Sequence, residues 1–276
     1  MAKRALVHLV LPDAHYGLDD TNEGARKARE CAAKAAEYLS SKHGGLASTV
    51  ILGDWLEGSA CSSHGASSVR EALQRGYFDT EIEPCREAMD RLQESSRSMV
   101  YIEGNHEHRI LRWALQQIVR GPLGDIVKSL APRELLSRTS TGKERKKFKW
   151  VPYVGALPHH AIAPDLWAIH GWSFAKNAAA VHLNLARSVS IIHGHTHRRQ
   201  EVSSRDPSNG RTLYGMSPGC LATLTPDYRA HSPSDWTHGF AVVYQSATDP
   251  MNWTHYLVTI KDGGAVLPDG KFIEAK

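Results

Sequence analysis

An alternation of short apolar runs with longer helical stretches constrains this chain more than any other feature. The segments ALVHLVL (5–11), LASTVILGD (46–54) and SMVYIEGN (98–105) are short apolar runs closed by a Pro or Gly turn. Each reads as a buried strand. Between the first two, residues 23–42 are rich in Ala and mixed with Arg, Lys and Glu, which favours helix until Gly44-Gly45 stops it. Residues 67–96 have a helical pattern in which Pro84 marks a break or a new start, and EHRILRWALQQIV (107–119) is amphipathic. Strand followed by helix, three times over, points to an α/β layered fold with parallel character.

The pattern continues with DLWAIHGW as strand and turn, AKNAAAVHLNLARS as helix and VSIIHGH as strand and turn. Beyond it, RTLYGMSPG, HGFAVVYQ and WTHYLVTI read as strands with few helices between them. A second, mainly antiparallel sheet is the expectation there. No internal repeat, low-complexity tract or linker interrupts the 276 residues. One domain over 1–276 is therefore expected, with a possible substrate-shaping insert at about 120–150.

Composition bounds the function only loosely. The net charge of +4 is mildly basic, so it permits an anionic substrate without demonstrating nucleic-acid binding. The four cysteines form no C-x-x-C pair, and reduced thiols in a cytoplasmic protein are the expectation. The opening MAKRALVHLVLPDAH superficially mimics a secretion signal, but His8 interrupts the apolar run and Pro12-Asp13 ends it. No apolar segment is long enough to span a membrane.

The chemistry gathers in five short clusters, each just after an expected strand. They are Asp13-Ala14-His15, Gly53-Asp54-Trp55-Leu56-Glu57, Gly104-Asn105-His106-Glu107, His170-Gly171 and Gly194-His195-Thr196-His197. In layered α/β folds the strand C-termini converge on one crevice, so clusters far apart in sequence can meet. Carboxylate, imidazole and carboxamide together suit Mn, Fe, Zn, Co or Ni better than calcium or a thiolate zinc site.

In this order, D-x-H, G-D-x-x-[DE], G-N-H-[DE], a separate His and G-H-x-H resemble the calcineurin-like metallophosphoesterases. The match runs from Asp13 to His197, and its specificity lies in the five parts together. The resemblance implies a four-layer α-β-β-α sandwich of two packed mixed sheets flanked by helices. It also implies two divalent ions, Mn foremost. Asp13, His15 and His197 would hold one, Asn105, His170 and His195 the other, and Asp54 would bridge them. His106 would protonate the leaving alkoxide or donate to a phosphoryl oxygen. Glu57, where many relatives have Asp, would hydrogen-bond His106. Glu107 would support the site or the helix N-terminus. A degenerate relative acting as a metal-bound scaffold is the alternative of another class, although no ligand position is missing.

The remaining candidates have two readings each. His193 belongs to the strand or to the support of the ligands, and His108 and His182 to helix faces. His159-His160 reads as an exposed loop. His231 and His238 flank a Trp, and nothing assigns them a role. The basic stretch at 138–149 contains Arg145, Lys146 and Lys147. It is either a solvated loop or a contact for a phosphate backbone. Trp55 either wedges between layers or stacks on a flat substrate group. Tyr228 and Arg229 are weak candidates for phosphate.

Within the family, Glu57 and His15 argue against purple acid phosphatases. Gly58-Ser59 and Glu103 replace the arginines of the serine/threonine protein phosphatases. His106 stands where lipid A precursor hydrolases tend to carry Arg. The expected activity is a phosphodiesterase on nucleic acid or nucleotide-type diesters, as in small bacterial and phage-type phosphoesterases. The basic stretch tilts this slightly towards DNA or other nucleic acid. A small-molecule phosphomonoesterase is the alternative enzyme. Nothing in the sequence gives the oligomeric state.

Overall fold

The computed structural model describes residues 5–17, 22–58, 78–117, 131–226 and 234–276. Two mixed sheets lie face to face with helices outside them, the sandwich that the resemblance implies. The first sheet is built on β1 (Leu6–Leu11), β2 (Ser48–Ile51), β3 (Met99–Ile102) and β4 (Phe148–Val151), all parallel. The second sheet contains β5 (His160–Ala163), β6 (Leu166–Ile169), β7 (Ser190–His193), β8 (Arg199–Arg205) and β9 (Thr212–Pro218). Its order is β5-β6-β7-β9-β8, with β6, β7 and β9 parallel and the outer strands antiparallel.

The C-terminal strands correct one expectation. β10 (Gly239–Gln245) and β11 (Trp253–Thr259) do not form a second antiparallel sheet. They return to the first sheet, β10 antiparallel beside β1 and β11 beyond it at the edge. A small hairpin of β12 (Gly264–Val266) and β13 (Phe272–Glu274) follows.

Side-chain alternation explains the layering. Along β1, Val7, Leu9 and Leu11 face one way, into a core shared with α1 (Glu23–His43) and α2 (Glu83–Glu94). Val10 faces the other way, joining Val50, Leu52 and Val100 against Ile162, Leu166, Ile192 and Met216 of the second sheet. α1 buries Ala28, Ala32, Ala35 and Ala36 in the core it shares with β1, small side chains that let the backbones approach closely. Asn22 caps the start of α1 by accepting the Ala25 N–H at 3.0 Å, and Gly44 ends it in the left-handed region. A π-helical turn at Phe78–Ile82 leads into α2, with Pro84 in the first turn of the α-helix. The earlier part of the expected 67–96 helix lies outside the described residues.

α3 (Asn105–Gln117) starts at the third ligand-bearing cluster, and the short α4 (Pro132–Leu136) precedes β4. α5 (Ala178–Ala186) covers the outer face of the second sheet, beside β7 and β9. Residues 131–151 therefore close the edge of the first sheet through β4. No helix among the described residues is long and apolar enough to cross a membrane.

Candidate metal centre

All five clusters meet where the parallel strands end. Asp13 and His15 follow β1, Asp54 and Glu57 follow β2, and Asn105 and His106 follow β3. His170 follows β6, and His195 and His197 follow β7, so both sheets contribute. The turns are forced. Among the seven described non-glycine residues with positive φ, four are His15, Asp54, His195 and His197. Such geometry costs about 1–2 kcal/mol per residue and persists where the surroundings impose it. Close approach explains two glycines. A Cβ on Gly104 would lie 2.1 Å from Asp54 Oδ1, and one on Gly194 would lie 2.4 Å from Asp13 Oδ2.

On one side, His170 Nε2 lies 3.3 Å from Asp54 Oδ2, 2.9 Å from Asn105 Oδ1 and 3.2 Å from His195 Nδ1. His170 Nδ1 is 2.7 Å from the Leu52 carbonyl. It donates there, so Nε2 is the nitrogen that faces the other three groups. On the other side, His15 Nε2 lies 3.2 Å from His197 Nε2, which is 3.4 Å from Asp13 Oδ1. The Asp13 carboxylate also accepts the His195 backbone N–H at 2.9 and 3.1 Å. Lone pairs converging like this need a shared proton or a cation. Three groups of side chains can hold a metal ion: Asp13–His15–His197, His15–Asp54–His106 and Asp54–His170–His195. All are buried except His106, which is partly exposed. The donor set therefore fits a borderline divalent metal.

Glu57 faces two histidines, His106 as expected and His15 more closely. Its Oε2 lies 2.5 Å from His15 Nδ1 but 3.4 Å from His106 Nδ1. It chiefly orients a ligand-position histidine, a carboxylate–imidazole pairing that aims His15 Nε2 into the site. His106 Nδ1 instead sits 2.8 Å from the Glu57 carbonyl oxygen. The Arg109 guanidinium lies 2.8 Å from the same oxygen and 3.1 Å from His106 Nδ1. His106 Nε2 points inward, 3.8 Å from Asp54 Oδ2, and its backbone N–H donates to Asp54 Oδ1 at 2.8 Å. The N-terminal end of α3 thus faces the Asp54 charge.

The charges hold one another in place. Burial opposes ionisation of Asp54, but the neighbouring His170 and His106 outweigh it and hold the carboxyl well below its usual range. Burial likewise opposes the charged form of His106. The Asp54 charge and Glu57 overcome it and raise the pKa to about 10. His170 rises to about 9 by the same balance, with Asp54 as its main partner. Burial, reinforced by His170, lowers His195 to about 3.

Glu107 ties the turns together. Its carboxylate accepts the backbone N–H groups of Asp54, Trp55, Leu56 and Gly104 at 2.9–3.0 Å and the Tyr101 hydroxyl at 2.6 Å. Burial and then the Asp54 charge push its pKa up, with the backbone donors and Tyr101 pulling against them.

Two expected substrate contacts are buried and two lie at the other end of β3. Trp55 is 2% exposed and donates from Nε1 to the Pro12 carbonyl, so it is the interlayer wedge and no substrate ring can stack on it. Arg145 is buried, paired with Asp90 at 2.6 Å and donating to the Leu136 and Arg86 carbonyls. Lys146 and Lys147 are exposed. However, the Lys147 carbonyl accepts from Met99 N, at the start of β3. β3 runs from Met99 to Ile102, roughly 10 Å at 3.3 Å per residue, and Asn105 comes after its far end.

Several secondary readings also resolve. His193 is the last residue of β7, fully buried, with Nδ1 on the Gly194 carbonyl. His182 is buried in α5 and accepts the Trp172 N–H. His108 sits in α3, 3.7 Å from Glu103. His159 stacks on Trp167, and His160 starts β5 instead of lying in a loop. His238 donates to the Ala222 carbonyl. Tyr228, Arg229 and His231 lie outside the described residues.

Sequence reasoning missed Arg29, which donates to the Ala14 and His15 carbonyls from α1 and lies 4.3 Å from the Tyr16 ring. It also missed Arg109, whose i+3 spacing from His106 was the available signal. Phe174, Trp236 and Arg198 line the same cavity as the candidate ligands, a hollow of about 370 Å³. A larger hollow of about 650 Å³ beside β11 and the terminal hairpin contains none of the metal-capable groups. No known protein family model matches the chain, and no characterised protein matches it in sequence.

Proposed function

We propose that this chain is a metal-dependent phosphoester hydrolase whose substrate is a nucleotide-type phosphodiester. The observation that carries the reading is the convergence of five strand-end clusters on one pocket, with Asp54 common to two of the three metal-capable groups. In this reading Asp13, His15 and His197 hold one ion, Asn105, His170 and His195 hold a second, and Asp54 serves both. Manganese is the expected metal, and Fe, Zn, Co or Ni suit the same donors. When bound, such a pair supplies a hydroxide near neutral pH and neutralises phosphoryl oxygens.

The protein's own groups do the rest. Glu57 holds His15 in the tautomer that presents Nε2. Glu107 fixes the turn that carries Asp54. His106 presents Nε2 to the cavity and holds the proton that a leaving alkoxide requires.

The charge of the pocket favours a diester. Among the described residues lining it, the permanently cationic side chain is Arg198, and Asp235 at 3.3 Å engages it. A singly charged diester needs less positive charge than a dianionic monoester. The basic loop supplies no contact at this end of the sheet, so the reading narrows from long nucleic acid towards a nucleotide-sized ester.

The test is hydrolysis of bis-p-nitrophenyl phosphate by the full chain. Chelation should abolish it and Mn²⁺ should restore it. His106→Ala should keep the metal yet lose far more rate on alkoxide leaving groups than on nitrophenolate. A metal-loaded protein inert on every mono- and diester would make the chain a binding scaffold. Faster turnover of monoesters would make it a phosphomonoesterase.

A further inference from the structure

We infer that Phe174 and Trp236 form the specificity subsite of the metal pocket, receiving a planar ring carried by the phosphoester. The inference rests on the proposed phosphoester chemistry and names the substrate class more narrowly.

The first observation is placement. The Phe174 ring is centred 4.1 Å from the His195 ring, and the Trp236 ring lies 4.1 Å from the His197 ring. Each of the two histidines of the G-H-x-H turn therefore has an aromatic neighbour. Both aromatics line the same cavity as Asp54, Asn105 and His106. The two rings thus flank the space beside the ligand groups in which the organic substituent of an ester would lie.

The second observation is exposure. Phe174 is 75% exposed, the most exposed of the large apolar side chains in the described residues. An apolar side chain gains by leaving water, at about 25 cal/mol per Å². One held open at the lip of a polar pocket has the character of a ligand contact. Its position reflects a dedicated support. Arg198 donates to the Phe174 and Ala175 carbonyls at 3.2 and 2.8 Å and pairs with Asp235, next to Trp236. One guanidinium thus joins the two loops that carry the two rings.

The third observation is chemistry. The lip offers flat, uncharged faces and a neutralised ion pair, and its described residues include no lysine and no arginine besides the paired Arg198. Stacking on such faces tolerates any flat ring and rejects a sugar or alkyl group that has none. A nucleobase and a simple aryl group share this chemistry.

Binding tests the inference independently of turnover. The Mn²⁺-loaded full chain is titrated calorimetrically with thymidine 5′-phosphate, phenyl phosphate and ribose 5-phosphate. Thymidine 5′-phosphate should bind roughly five- to a hundredfold more tightly than ribose 5-phosphate. Phe174→Ala should bring that ratio close to one, and Phe174→Tyr should keep it. Phe174 is exposed, so its removal leaves the core intact, and an unchanged far-ultraviolet spectrum verifies this. Tight binding of both ring ligands identifies any aryl face as sufficient, whereas tight binding of the thymidine ester alone identifies a nucleobase. Equal affinities for all three ligands, or a ratio unaffected by Phe174→Ala, overturn the subsite. Ring preference without any ester hydrolysis leaves the subsite standing and overturns the enzyme reading.

Discussion

Glu107→Gln tests whether a single buried carboxylate holds the candidate site together. The wild-type side chain faces five donors. Trp55 N, Leu56 N and the Tyr101 hydroxyl converge on Oε1, and Asp54 N and Gly104 N on Oε2. Glutamine has the same shape but one acceptor oxygen. Its best orientation keeps the Oε1 contacts and turns an NH₂ group towards the N–H of Asp54 and of Gly104. Two buried donors then lose their acceptor at about 1–3 kcal/mol each, or about 2–6 kcal/mol in all. For a chain of this size the melting temperature should fall on the order of 10 °C. The displaced backbone belongs to Asp54, so Mn²⁺ affinity should also fall, by roughly 10–100-fold. Thermal unfolding of metal-free protein and calorimetric titration with Mn²⁺ measure the two effects. Tyr101→Phe removes one donor and leaves the backbone contacts, so it should cost only about 1 kcal/mol. A Glu107→Gln protein that melts within 1 °C of wild type and binds Mn²⁺ equally well would refute the reasoning.

Three further outcomes follow from charge and position. His170 and His106 have pKa values raised to about 9 and about 10, while Asp13, Asp54 and Glu57 are lowered. The histidine contribution to metal-free stability should be complete below their unfolded value near 6.5 and lost as pH rises through 9–10. The carboxylate contribution should be present above about pH 4.5 and lost in acid. Mn²⁺ must displace the His170 proton, so its affinity should rise roughly tenfold per pH unit for each proton released. Titrations in buffers of different ionisation enthalpy count those protons, and a pH-independent affinity would contradict the assignment. Replacing Lys146 and Lys147 by Ala should leave kcat/KM and its salt dependence unchanged, because both lie at the other end of β3 from Asn105; a reduced salt slope would restore the basic loop as a substrate contact.

The elements easiest to read in sequence were those with strong local signals. β1, β2, β3, β6 and β7 are short apolar runs with glycine or proline punctuation, and the polar residues after them are the ones that meet in the site. α1 was readable from its alanines and its Gly44 stop. β4 and β5 were harder, because their few residues are only partly buried and carry polar side chains in the pattern of a loop.

Local pattern thus determined which residues stand at the strand ends, since backbone geometry and turn chemistry depend on near neighbours. Partnership across the sheets was decided only by the tertiary structure. β10 and β11 read simply as strands, and whether they extend the first sheet or build the second depends on which edge remains to be covered. Glu57 was expected on His106 but lies closer to His15, because the two histidines compete for one carboxylate in three dimensions. Arg145 read as part of a basic stretch and became an interior ion pair with Asp90. Trp55 read equally well as wedge or platform, and burial against Pro12 made it a wedge. Phe174 and Trp236 carried no motif at all. Their relation to His195 and His197 exists because distant loops meet at the mouth of the pocket, joined by Arg198 and by the Thr237 N–H on the His197 carbonyl.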